Sequence, residues 1–163
     1  MRDLRGDFSK LWASGWLDNF SVGEVFLSNS RKGVIRGLHY IMHPSTQKRA
    51  VFCVQGKIKD VIVDIRKGSP TYSEYVSVDL QEKDNRGIYI GEGFAHGFLA
   101  LADSIVVYLA STPYDEKYDR GVIWNDPEIA IDWGIKTPIQ SKKDATLPLL
   151  KDAENNFVYK DSE

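Results

Sequence analysis

The sequence predicts an all-β fold, a β-sandwich or barrel, with short helical turns confined to the C-terminal third. Short runs rich in Val, Ile and aromatic residues recur through the middle of the chain. Gly-containing turn sequences separate these runs at the spacing that is typical of sandwiches and barrels. An antiparallel barrel or jelly roll can hold a small ligand in its mouth. We therefore expect function to depend on polar side chains that point inward from apolar strands.

The strands are predicted, in order, from the alternation of apolar and polar residues. VIRGLHYIM at 34–42 is followed by RAVFCV, which ends before the turn at Gly56. In KIKDVIVDI at 57–65 apolar residues occupy both faces, which predicts a largely buried strand. The sequence SKKDATLPLLKDAENN at 141–156 predicts the short helical turns. The remaining strands and turns are YSEYVSVDL (72–80), the turn KDNRG (83–87), GIYIG (87–91), the turn LADS (101–104) and SIVVYLAST (104–112).

Length and composition predict one globular domain over residues 1–163. Apolar residues make up 42% of the chain and charged residues 27%, and the formal net charge is −2, which argues against a nucleic-acid partner. Cys53 is the only cysteine, so no intrachain disulfide is expected and a cytoplasmic location is favoured. No apolar run is long enough to span a bilayer, and the N-terminal sequence does not resemble a signal peptide, so no membrane partner is expected.

Ionisable side chains interrupt four of the apolar segments. Arg36 and His39 lie in VIRGLHYIM, and Arg49 follows Lys48 in STQKRAVFCV. The other two are His96 in GEGFAHGFLAL and Tyr108 in SIVVYLAST. Taken singly, each is more simply explained as a core or surface residue. Burying all of them without a use is costly, so together they predict a polar pocket.

The histidines His39, His43 and His96 raise the question of a metal site. Residues four apart in a strand share a face but lie roughly 13 Å apart, too far for one ion with ligand bonds near 2 Å. Pro44 also indicates that the strand ends before His43 contributes. We therefore expect no bound metal.

Five motifs in order resemble those of a known enzyme family: RGLHY (36–40), DVIVDIRKGSPTY (60–72), GEGFAHGF (91–98), RGVIWNDPEIAIDW (120–133) and SKKDATLPLL (141–150). They are similar to the dTDP-4-dehydrorhamnose 3,5-epimerase family of metal-free cupins, and the similarity runs from DLRGDF, which starts at residue 3, to Leu150. The resemblance implies a cupin-type jelly-roll homodimer without cofactor. It also implies a nucleoside-diphosphate 4-keto-6-deoxysugar substrate, with a product used in deoxysugar and polysaccharide biosynthesis.

The resemblance assigns the catalytic roles to three residues. His39 matches the base, Asp144 the carboxylate that orients its imidazole, and Tyr108 the acid on the opposite face of the sugar. Counting forward from His96 places the family tyrosine at Leu109, whereas counting back from RGVIW places it at Tyr108. We favour Tyr108, because a deletion in the turn LADS is tolerated more easily than a register shift within the strand.

The resemblance also implies five substrate contacts. Arg5 and Arg36 match arginines near the diphosphate, and His96 matches a histidine close to the sugar. Arg49 stands where the family usually has a lysine that faces the C4 oxygen, and it keeps the positive charge with a different shape. Tyr114 is expected to be a further substrate contact.

Arg49 and one further departure from the family leave alternatives open. The sequence before the base reads VFLS at 25–28, where the family usually has a sequence like QDNHS, so the nucleotide (dTDP, GDP or CDP) and the number of inverted centres stay open. A C3-only epimerase, or a 3,4-ketoisomerase that uses His43, is the alternative within the fold. A non-catalytic cupin that binds sugar nucleotides is the alternative of another class.

One expectation concerns backbone geometry alone. Strict alternation places Arg36 and His39 on opposite faces of one strand. Both can face one pocket only if the strand is bulged or bent between them, and Gly37 is the residue that allows this.

Overall fold

Two antiparallel sheets pack face to face, as the sequence predicts for a jelly-roll fold. The structure, a computed structural model, describes residues 2–160, with the side chains of Arg2, Asp3 and Asp7 excepted. Its strands in chain order are β1 (Arg2–Asp3), β2 (Gly6–Asp7), β3 (Glu24–Ser30), β4 (Ile35–Ile41), β5 (Arg49–Gln55), β6 (Lys57–Asp64), β7 (Tyr75–Gln81), β8 (Gly87–Ile90), β9 (Phe94–Ala100), β10 (Ser104–Ala110) and β11 (Asp119–Gly121).

The two sheets differ in the number and the order of their strands. One sheet has four strands in the order β3-β10-β5-β8, and the other has five in the order β11-β4-β9-β6-β7. The strands β1 and β2 form a separate two-stranded hairpin. The strands predicted between residues 34 and 112 are confirmed. The strands β1, β2, β3 and β11 are additions that the sequence pattern did not predict.

The predicted burial of β6 on both faces is confirmed. On the face toward the other sheet, Ile58 packs with Phe98 and Val106. On the opposite face, Val61 and Val63 pack in a second apolar cluster. All five side chains are almost completely buried, and burial of one such side chain stabilises the fold by about 1.5–3 kcal/mol.

The C-terminal segment covers the outer face of the five-stranded sheet. Trp133, Leu150 and Phe157 pack against the outward side chains of β4 and β6. The predicted helical turns are confirmed as two 3₁₀ turns, Asp144–Thr146 and Leu150–Asp152. Because this segment lies across β4, it brings Asp144 next to the strand that carries His39.

The predicted irregularity in β4 is confirmed. Arg36 pairs with Phe98 of β9 and His39 with His96, so three steps along β4 correspond to two along β9. Gly37 lies within this bulge with φ +99°. The extra residue turns Arg36 and His39 to the same side of the sheet.

The outer face of the four-stranded sheet is apolar and only partly covered. The segment before β3 packs Trp12, Leu17 and Phe20 over Ala50 and Leu109. Beside this cover, several side chains of the same sheet remain exposed: Val25, Leu27, Val54 and Tyr89. Within residues 2–160, no helix has the length and apolar character needed to cross a membrane.

We predict that Gly37→Ala strongly destabilises the protein. A Cβ atom at this position would lie 2.5 Å from the carbonyl oxygen of His96, in a backbone conformation that L-residues avoid. We expect the free energy of unfolding to fall by roughly 3–5 kcal/mol in urea denaturation.

Gly68→Ala is the matched control for this change. Gly68 also has a positive φ, +83°, but no atom lies within 4 Å of the position that a Cβ atom would occupy there. The free energy of unfolding is therefore expected to fall only by the cost of the backbone conformation, about 1–2 kcal/mol. Equal losses for the two variants would show that the close approach of β9 does not require glycine at position 37.

Candidate functional site

A cavity of about 320 Å³ opens between the two sheets. This volume lies at the small end of the range for small-molecule sites. The inner face of β4 contributes Arg36 and His39 to its wall, and β10 contributes Tyr108. Other predicted site residues that line it are Arg49, His96, Tyr114 and Asp144. The structure thus brings seven of the eight predicted residues together.

His39 and Asp144 form a hydrogen-bonded pair in this cavity. His39 Nε2 lies 3.1 Å from Asp144 Oδ1, and the backbone N–H of Gly37 donates to Asp144 Oδ2 over 3.0 Å. The Asp144 side chain is buried, whereas 27% of the His39 side chain is exposed. The bulge in β4 therefore both presents the imidazole and supplies a donor to the carboxylate that holds it.

The ionisation of Asp144 reflects these contacts. Burial raises the pKa of its carboxyl group, but the hydrogen bond and charge of His39 and the hydrogen bonds from Gly37 and Ser141 outweigh burial and lower the pKa to about 2. Asp144 is therefore a carboxylate at neutral pH. A carboxylate in this position favours the imidazolium that forms when His39 accepts a proton.

Tyr108 lies on the other sheet, with its ring in the interior. Burial raises the pKa of its phenol to about 12, with partial opposition from the nearby Ser28 hydroxyl. Its ring stacks on Phe26 at 4.6 Å between centroids and an interplanar angle of 9°. The neighbouring Leu109 points away from the cavity and packs in the outer cluster with Phe20. This confirms that Tyr108, and not Leu109, faces inward.

A second histidine–carboxylate pair was not predicted from the sequence. His96 Nε2 lies 2.9 Å from Asp60 Oδ2, and both side chains are buried. Among residues 2–160, the other oxygen of Asp60 has no hydrogen-bond partner. The sequence does contain one indication of this pair. Asp60 lies in a strand that is predicted to be buried, and a buried charge rarely lacks a partner.

The two cavity arginines have different environments. Burial lowers the pKa of the Arg49 guanidinium, and its Nε donates to Gln47 Oε1 over 2.7 Å. Arg36 is exposed, and it donates to Ser30 Oγ and to the Asn29 carbonyl, each over 2.9 Å. Arg49 thus supplies a half-buried positive charge within the cavity, whereas Arg36 supplies a more open one.

Asp119, also absent from the sequence-based prediction, connects two residues at one side of the cavity. The Tyr114 hydroxyl donates to Asp119 Oδ2 over 2.8 Å, and Lys143 Nζ forms an ion pair with the same oxygen. Burial, together with the hydrogen bond and charge of Asp119, raises the pKa of Tyr114. This network holds the segment after β10 next to the turn that carries Asp144.

Two residues that the sequence suggested lie outside the cavity. Arg5 is exposed in the turn between β1 and β2, and it does not line the cavity of its own chain. His43 is exposed beyond the end of β4, which agrees with the expected end of that strand before Pro44. Within residues 2–160, no group of three or more His, Cys, Asp and Glu side chains is arranged to hold a metal ion.

This arrangement suits proton transfer on both faces of a bound ring. A neutral imidazole supported by a carboxylate accepts protons, and a phenol on the opposing sheet can donate one. The half-buried guanidinium of Arg49 in the same cavity can stabilise an oxyanion.

Comparison with known proteins identifies related sequences over nearly the whole chain. Residues 1–152 match the model of the family described as dTDP-4-dehydrorhamnose 3,5-epimerase. A protein of that name from Sinorhizobium fredii is 37% identical over 165 residues, which cover 96% of this chain and 84% of the relative.

Solved structures agree with this result. The crystal structure of dTDP-4-dehydrorhamnose 3,5-epimerase from Sulfolobus tokodaii is similar with a TM-score of 0.88 and 40% identity, covering 95% of this chain and 88% of that one. A dTDP-6-deoxy-D-glucose-3,5-epimerase from Legionella pneumophila, in complex with dTDP-4-keto-L-rhamnose, is similar with a TM-score of 0.87 and 34% identity, covering 92% of this chain and 83% of that one.

We predict that Asp144 stabilises the fold at neutral pH and loses this effect in acid. Its native pKa of about 2 lies below the value of about 3.9 for an unfolded Asp. The contribution is therefore present above about pH 4 and is lost as the pH falls from 4 to 2. After allowance for solvent screening, Asp144→Asn should lower the free energy of unfolding by about 1 kcal/mol at pH 7.

Thermal unfolding between pH 2 and 7 measures this effect. The difference between wild type and Asp144→Asn should shrink toward pH 2, while the exposed Asp152→Asn should follow wild type throughout. A difference that stays constant over this range would contradict the assignment.

Proposed function

Because the chain belongs to the dTDP-4-dehydrorhamnose 3,5-epimerase family and is an isomerase, we propose that it inverts C3, C5 or both in a nucleoside-diphosphate 4-keto-6-deoxyhexose. The observation that carries this proposal is the His39–Asp144 pair, which shares one cavity with Tyr108 on the opposite sheet. The ketone at C4 acidifies the hydrogens on C3 and C5, so a base, an acid and an oxyanion partner are sufficient for the reaction.

His39 is the proposed base. An imidazole that accepts a proton from carbon becomes a cation, and the nearby carboxylate of Asp144 is placed to balance that charge. The Asp144 carboxylate fixes the ring through Nε2, which leaves Nδ1 as the nitrogen that takes the proton from carbon. Removal of that proton converts the ketone to an enolate and the imidazole to an imidazolium, whose charge Asp144 offsets.

Arg49 is the proposed partner of the enolate oxygen. Its side chain is half-buried and lies close to the Tyr108 and Tyr114 side chains. In this low-dielectric environment an oxyanion interacts with a cation more strongly than it does in water. The guanidinium keeps its proton throughout, so it acts through charge and hydrogen bonds.

Tyr108 is the proposed acid. With a pKa of about 12, its phenol stays protonated at neutral pH and gives up its proton only to a strongly basic centre. The enolate carbon is such a centre. Delivery from the sheet opposite His39 places the new hydrogen on the other face of the ring, and this inverts the configuration.

Substrate binding is proposed for the remaining predicted residues. The crystal structure of the Legionella pneumophila enzyme is a complex with dTDP-4-keto-L-rhamnose, which favours a dTDP-linked sugar as the substrate of this chain as well. Arg36 and Arg5 are the proposed diphosphate contacts, and His96 and Tyr114 the contacts to the sugar. A cytoplasmic location agrees with a nucleotide-linked substrate and with Cys53 as a free thiol.

A homodimer is proposed through the outer face of the four-stranded sheet. Val25 and Leu27 of β3 expose 60% and 58% of their surface, and they lie on the same side as the exposed Val54 and Tyr89. A contiguous apolar surface on a sheet is typical of an interface between subunits. A second copy of the chain is the proposed occupant.

Solvent deuterium incorporation is the decisive test of the proposed reaction. The protein is incubated in D₂O with dTDP-, GDP- and CDP-4-keto-6-deoxyglucose, and NMR follows exchange and configuration at C3 and C5. We expect wild type to exchange at one or both centres and His39→Asn to abolish exchange, because only a base can remove the proton. His43→Asn, which changes an exposed histidine outside the cavity, is the matched control.

Tyr108→Phe separates exchange from inversion in the same assay. Exchange needs only the base. The ratio of the inversion rate to the exchange rate should therefore fall by roughly 10–100-fold in the variant. Tyr75→Phe removes a hydroxyl that accepts a hydrogen bond from Asp132 N–H outside the cavity, and it should leave both rates near wild type.

The outcomes of this assay distinguish the alternatives. Deuterium at C3 alone identifies a C3-epimerase, and a 3-keto product identifies a 3,4-ketoisomerase. Binding of all three sugar nucleotides without exchange would refute the epimerase and support the non-catalytic cupin.

We predict that Val25→Asp prevents self-association. A carboxylate on the proposed interface must be desolvated when the second copy binds, which costs several kcal/mol. Sedimentation velocity should show a dimer for wild type and a monomer for the variant. Val76→Asp is the matched control, since Val76 is 62% exposed on the other sheet. A monomeric wild type, or a dimeric Val25→Asp variant, contradicts the proposed interface.

A further inference from the structure

Gln47 makes two hydrogen bonds that connect Arg49 to the end of β10. Its amide oxygen accepts from Arg49 Nε over 2.7 Å, and its amide nitrogen donates to the Thr112 carbonyl over 2.6 Å. A guanidinium only donates and a carbonyl only accepts, so the orientation of the amide is fixed. Gln47 is itself buried, with 8% of its surface exposed.

The anchor at Thr112 belongs to a well-connected part of the fold. Thr112 follows β10, and the neighbouring Ser111 exchanges hydrogen bonds with Lys48 in both directions, each of 2.9 Å. The Thr112 hydroxyl also donates to the Thr46 carbonyl over 3.2 Å. Gln47 therefore connects Arg49 to the strand that carries Tyr108.

The partner of Arg49 is neutral, which matters for its charge. Within residues 2–160, Arg49 forms no ion pair. A carboxylate at the same point would neutralise much of the guanidinium charge, whereas an amide oxygen only orients it. The carboxylate whose charge acts on Arg49, Asp119, is itself engaged by Lys143 and Tyr114. A neutral acceptor on Nε thus leaves the guanidinium charge available to a bound anion.

We propose that Gln47 is a positioning residue, which holds the Arg49 guanidinium toward the cavity without neutralising it, so that its charge acts on the enolate oxygen. The catalytic part of this inference rests on the proposed function of Arg49. The positioning part rests on the two hydrogen bonds alone and can be tested separately.

Crystal structures of wild type and Gln47→Met test the positioning part. The thioether matches the amide in length and lacks the strong acceptor, so the guanidinium should leave its present position or become disordered. A guanidinium that keeps its position and order in the variant overturns the proposal, whether or not the protein catalyses exchange.

Deuterium exchange tests the catalytic part. Gln47→Glu keeps an acceptor of the same size but adds a carboxylate beside Arg49, and we expect kcat for exchange to fall about 10–100-fold with KM changed less than about threefold. Gln55→Glu introduces the same change at the exposed end of β5, the strand that begins with Arg49, and it should retain wild-type kcat.

A double-variant cycle decides whether Gln47 acts through Arg49. In an Arg49→Met background, Gln47→Glu should cause little further loss of kcat, because the group that it modulates is absent. Losses that multiply independently, or a change in KM alone, overturn the proposal. If wild type exchanges no hydrogen, the proposed function fails, and the crystal structures still decide whether Gln47 positions Arg49.

Discussion

The bulge between Arg36 and His39 determines which side chains of β4 enter the cavity. A regular strand would turn one of them toward the covered outer face of the sheet. The extra residue also leaves the Gly37 N–H outside the ladder, and that group donates to Asp144. One local irregularity thus orients the imidazole and binds the carboxylate that supports it. Because β9 approaches closely, glycine is needed at position 37.

The two sheets carry complementary chemistry. The five-stranded sheet presents both histidines, each paired with a carboxylate, whereas the four-stranded sheet presents Tyr108 and Arg49. Packed sheets lie about 10 Å apart, which leaves room for a six-membered ring between proton donor and acceptor. In the proposed reaction each face of the ring is served by a different sheet, and this division of base and acid between the sheets would invert the configuration.

Much of this arrangement could be predicted from the sequence, because strand alternation and family motifs are both visible within short segments of the chain. The count back from RGVIW selected Tyr108 over Leu109, and strand alternation required the bulge at Gly37. The strand β3 was missed because EVFLSNS mixes polar and apolar residues without a clear period. Asp60 and Asp119 were missed for another reason. His96 is 36 residues from Asp60 and Lys143 is 24 residues from Asp119, and a carboxylate is usually interpreted as a solvated group.

The position of Asp144 has a consequence for the order of synthesis. His39 and Asp144 are 105 residues apart, and the carboxylate reaches the imidazole only through a segment that folds across the outside of the five-stranded sheet. A nascent chain can complete both sheets while its base still lacks a counter-ion. The proposed catalytic pair is thus completed by a segment that is synthesised after the strands of both sheets, and a chain cut before Asp144 would lack both the carboxylate and part of the cavity wall.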